Sequence, residues 1–74
     1  MGAARRVALS AGVYTWTFPA PYASTPVCSG TEENSSSSRQ LVISSISTSS
    51  VKFTSTVTTG NTDTVDLVCF GNPN

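Results

Sequence analysis

Val13-Tyr14-Thr15-Trp16-Thr17-Phe18 is the stretch that decides the fold. Tyr14, Trp16 and Phe18 alternate with Val13, Thr15 and Thr17, the period of two that a strand imposes on its side chains. Three aromatics on one face are the largest apolar payload in the chain, so that face is expected in the core. Pro19-Ala20-Pro21 ends the strand, because proline has no N–H to give to a ladder.

The same alternation recurs on both sides of this segment. Upstream, residues 6–9 form a short apolar run, and Ser10-Ala11-Gly12 supplies a turn. Downstream, residues 26–32 read as a strand weakened by Gly30, and residues 33–38 as a polar loop. Residues 39–46 place Leu41 and Ile43 on one face and Val42 on the other. Ile46 is out of phase with that pair, so a bulge is expected near Ser44-Ser45. A short hairpin connection over residues 47–50 leads to a half-buried strand in which Val51, Phe53, Ser55 and Val57 alternate with Lys52, Thr54 and Thr56. Residues 58–63 are a turn, with Gly60-Asn61 suited to positive φ. The last strand, residues 64–70, carries Val65, Leu67 and Cys69 on one face and Val68 and Phe70 on the other, which predicts burial on both sides. Residues 71–74 are expected to fray. The sum is an all-β chain, a small antiparallel β-sandwich of five or six strands. Residues 1–11 are an N-terminal extension or first edge strand, and residues 12–74 are the sandwich.

Composition narrows the functional classes. Serine and threonine make 24 of 74 residues, while four Lys+Arg balance four Asp+Glu. A neutral chain lacks the clustered basic charge that a nucleic-acid binder uses to displace counterions, so no nucleic-acid partner is expected. No run approaches the ~20 apolar residues of a membrane helix, and no membrane insertion is expected. The first nine residues are too short in apolar character for a signal-peptide core, so they read as a mature N-terminus. The Asn34-Ser35-Ser36 sequon has no secretory context to support it.

The chemistry-bearing residues are few. The chain has no histidine, which removes the commonest general base and metal ligand. Glu32 and Glu33 point to opposite faces of a strand, and Asp63 and Asp66 differ in parity, so neither pair makes an acid and base. We expect no enzyme, no catalytic residues, no metal and no cofactor. Cys28 and Cys69 lie in different strands. A disulfide would be worth about 4 kcal/mol in the chain-entropy model, but without a leader two small buried free thiols are the favoured reading. Tyr22, Asn61 and Asp63 are candidate ligand-binding residues, an aromatic to stack on a sugar ring and an amide and carboxylate to take its hydroxyls. The plainer and favoured alternative has Tyr22 plugging the sandwich end and Asn61 and Asp63 capping a turn.

The stretch Gly12-Val13-Tyr14-Thr15-Trp16-Thr17-Phe18-Pro19-Ala20-Pro21-Tyr22-Ala23, followed by Pro26-Val27, resembles the opening of small β-sandwich domains in bacteriophage tail fibres and tail spikes. Ile46-Ser47-Thr48-Ser49-Ser50-Val51-Lys52-Phe53-Thr54 is similar to their hairpin. The resemblance implies an H-type-lectin-like fold of six antiparallel strands, a homotrimer, and a place in the virion at the host-facing end of a fibre, with other tail proteins and a bacterial surface glycan or pilus as partners. The long stalk that normally precedes such a domain is missing from this sequence. A small core without a metal independently favours oligomerisation. The alternative to host recognition is a purely structural virion protein that caps or trimerises another tail protein.

Overall fold

The computed structural model describes residues 2–34 and 39–72. Six strands follow one another along the chain: β1 (Gly2–Ala8), β2 (Val13–Thr17), β3 (Val27–Glu32), β4 (Leu41–Ile46), β5 (Ser50–Ser55) and β6 (Thr64–Phe70). They form two three-stranded antiparallel sheets, sheet A in the order β1-β6-β3 and sheet B in the order β2-β5-β4. No helix occurs among the described residues. The expected small antiparallel sandwich is the observed one. The outer part of the 33–38 loop, the end of the sequon and residues 73–74 lie outside the described residues.

The two sheets bury the faces that alternation assigns to the core. Trp16 and Phe18 from sheet B's side meet Val51 and Phe53, and sheet A contributes Val65, Leu67 and Cys69. Trp16 is 4% exposed, with Phe18 edge-on to it at 5.5 Å. Tyr14 stays half-buried at the margin, where its hydroxyl accepts a hydrogen bond from Arg5 at 3.1 Å. Gly30 faces inward because the core leaves no room for more. A Cβ there would come within 2.8 Å of both Leu41 and Leu67, so the residue that weakens β3 as a strand is the one that lets Phe53 seat.

The register of β4 on β5 shifts between Ile43 and Ser45, leaving Ser44 as the extra residue. That bulge returns Ile46 to the core side, where it packs with Leu41 and Ile43. Ser44 Oγ bonds the Lys52 carbonyl at 3.2 Å and the Thr54 hydroxyl at 3.0 Å.

Two expectations are corrected. Cys28 and Cys69 are not free thiols; they form a disulfide. They stand directly opposite one another in the β3–β6 ladder, so antiparallel pairing alone brings their sulfurs together. Within the single chain the final strand, β6, is buried on one face only. Phe70 is 60% exposed and its row neighbour Val27 is 76% exposed, because their side of sheet A is an outer face with no third layer over it. Residues 2–8, for their part, join sheet A as its edge strand.

Candidate functional site

The molecule measures 37 × 17 × 16 Å. A seven-residue strand spans roughly 24 Å, which exceeds the two short dimensions, so the strands run along the long one and the loops collect at two ends.

One end holds both ends of the described chain. Gly2, Phe70 and Val27 form a single row across sheet A. Phe18 N–H donates to Ser49 O, Tyr22 N–H to Thr48 O and Ala23 N–H to Asn72 O, each at 2.9–3.0 Å. Tyr22 therefore sits between the β4–β5 hairpin and the segment after β6. Its ring meets Phe18 edge-on at 5.1 Å, and only 8% of the residue is exposed. Tyr22 plugs this end of the sandwich.

The opposite end is organised by Asn61, which is 2% exposed. Its Nδ2 donates to Glu32 Oε1 at 3.1 Å, Ser55 Oγ at 3.1 Å and the Val57 carbonyl at 2.7 Å. Its Oδ1 accepts the Asp63 N–H at 2.9 Å. The backbone of Asn61 also bonds Thr58 O and accepts from Gly12 N–H. The turn is possible because Gly60 adopts φ +65° in open space, a conformation that L side chains rarely take. The Asn61 amide thus ties residues 55–57 and 63 to the end of β3, and its backbone carbonyl adds Gly12.

Asp63 lies on the surface of this hub. Its Oδ2 accepts from Arg39 Nη1 at 2.7 Å and its Oδ1 from Asn34 Nδ2 at 3.3 Å. The Arg39 hydrogen bond holds the Asp63 carboxyl below its ordinary value, helped by Asn34 and opposed by partial desolvation. The side chains of Arg39 and Asp63 keep 31% and 18% of their surface, so both reach solvent from a braced position.

A second ionic cluster lies on the outer face of sheet A. Arg6 bridges Glu33 and Asp66. The hydrogen bond shared with Glu33 raises the Asp66 carboxyl, while the Arg6 hydrogen bond lowers that of Glu33.

The three sequence-derived candidates therefore do not converge. Asn61 and Asp63 are joined at one end, and Tyr22 lies at the other. Glu32 and Arg39, which the sequence reading left out of the site, belong to the first group. Glu32 shares strand parity with Cys28 and Gly30, the inward residues of β3, and that parity is the signal which could have found it. Among the described residues no group of three or more carboxylates, cysteines or histidines gathers in a way that would hold a metal. In comparisons with protein-family models, curated proteins and solved structures, nothing matches this chain.

Proposed function

We propose that this chain is a bacteriophage tail-fibre or tail-tip component that presents loops for recognition of the host surface, acting as a homotrimer on the virion. The observation that carries the reading is the Thr15-Trp16-Thr17-Phe18-Pro19 strand and loop, which resembles the opening of such domains and here forms the aromatic core of a six-stranded sandwich. The exposed Val27–Phe70 row, with half-buried Val68 behind it, supports self-association, since an apolar patch on an outer face favours a partner. With few surface charges for steering, recognition would rest on hydrogen bonds from loops braced by the sandwich and repeated around the assembly.

The test is direct binding of the purified, fluorescently labelled chain to host cells. Saturable binding that follows the oligomer supports recognition. A chain that binds no cell yet is required for particle assembly replaces this reading with the structural one.

A further inference from the structure

The two ends of the sandwich differ in chemistry, and the difference has a direction. Any chain before Gly2 or after Asn72 leaves from the Tyr22 end, because β1 starts there and β6 finishes there. The same end exposes Val27 and Phe70. It is the end suited to attachment. Neither Gly2 nor Asn72 lies at the far end, whose described loop residues expose no large apolar side chain, while Val42, the second residue of β4, is 55% exposed beside them.

The far end also offers a donor and an acceptor side by side. Arg39 Nη1 and Asp63 Oδ2 lie 2.7 Å apart, on side chains that keep 31% and 18% of their surface. The guanidinium has five N–H groups and the carboxylate several lone-pair positions, so each retains capacity after their mutual bond. Neighbouring hydroxyls of a sugar ring need this arrangement, one hydroxyl donating to the carboxylate while the next accepts from the guanidinium. The pair is electrically balanced, which gives a charged ligand little advantage and favours a neutral one. Asn61 holds the platform rigid from beneath, so little conformational entropy is lost on binding.

The geometry points to Arg39 and Asp63, with Asn34 beside them, as the saccharide-contacting site of this chain, selective for a neutral sugar with adjacent hydroxyls. The inference rests on the host-recognition reading and moves the contact away from Tyr22. Among the described residues no exposed aromatic is present there to stack on a sugar ring, so each copy binds weakly and several copies act together.

The experiment has two arms. The isotopically labelled chain is titrated with mannose, galactose and glucose up to roughly 50 mM, beyond the millimolar range of one shallow site. Amide shifts confined to Asn34, Arg39, Gln40 and residues 60–64 are expected for at least one of these sugars. Shifts centred on residues 22–25 or on Phe70, or none with any sugar, overturn the site. In the second arm, cell binding by Asp63→Asn and Arg39→Gln should weaken by about tenfold or more, the loss expected for hydrogen bonds to charged groups. If wild type binds cells and both variants bind equally well, the site is wrong while host recognition stands. If wild type binds no cells, the recognition reading fails first. Should either variant melt at a markedly lower temperature, the titration of the wild-type chain decides alone.

Discussion

The side-chain amide of Asn61 reaches 3.1 Å from Glu32 Oε1, joining a turn and a strand 29 residues apart inside the sandwich. The second carboxylate oxygen of Glu32 is buried and has no hydrogen-bond partner among the described residues. The two partners should therefore respond in opposite ways to substitution. Asn61→Ala leaves several buried acceptors unpaired and is expected to cost about 2–3 kcal/mol. Glu32→Gln keeps an oxygen for Asn61 and removes a carboxylate from a buried site, so its melting midpoint should equal or exceed that of wild type. Urea titrations of both variants check this. A Glu32→Gln protein as unstable as Asn61→Ala contradicts it.

Trp16 is a buried aromatic on β2, packed edge-on against Phe18. Trp16→Ala should cost about 3–5 kcal/mol, enough to unfold most molecules of a domain this small. Loss of the near-ultraviolet circular dichroism signal at room temperature is the expected result.

Reduction of the Cys28–Cys69 bridge opens a crosslink spanning 41 residues, which in the chain-entropy model removes about 4 kcal/mol of stability. Melting with and without dithiothreitol measures it. Mass spectrometry of the unreduced protein after alkylation should show no label on either cysteine.

Acid should act through Asp63 and Asp66 in opposite senses. Arg39 holds the folded Asp63 carboxyl below its ordinary 3.8, so its stabilising contribution is full above that value and is lost as pH falls toward the folded one. Arg39→Gln should flatten this acid limb. Asp66 is raised above 3.8 by Glu33. Its contribution is most favourable below 3.8 and declines as pH rises through the folded value. Asp66→Asn is accordingly expected to raise the melting midpoint at pH 7, and to do so less at pH 3. A pH series of thermal melts on the three proteins separates the two effects.

The proposed trimer should give a mass of three times 7.7 kDa by sedimentation equilibrium. Phe70→Ser removes the exposed ring from the outer face of sheet A. It should shift the protein toward monomer with little loss of fold, since Phe70 lies outside the core. A wild-type monomer at all concentrations contradicts the assembly.

Much of the fold was legible because alternation is a local signal. Tyr14, Trp16 and Phe18 announced β2, and the phase slip between Ile43 and Ile46 announced the bulge at Ser44. β1 was only partly visible. It is an edge strand with largely exposed residues, and its pairing with β6 needs backbone groups more than an apolar face. The disulfide was illegible for another reason. Nothing local to Cys28 says that β3 will lie beside β6 with Cys69 opposite, because register between strands so far apart depends on the whole topology. The polar end was half-read. Asn61 and Asp63 stood out as turn residues, but the long-range partners that bury one and brace the other, Glu32 and Arg39, contribute nothing to a turn motif.

β1 and β6 are antiparallel neighbours whose outer ends, Gly2 and Phe70, face each other. A pull applied between the two termini would therefore peel the ladder open pair by pair from that end rather than shear it along its length. Only Phe70 separates such a tear from Cys69, whose sulfur is bound to Cys28 on the other side of β6. The covalent link transfers the load from β6 to β3 after one residue, so β6, the middle strand of its sheet, cannot be drawn out alone. The domain has a mechanical stop at the end where Gly2 and Phe70 lie side by side.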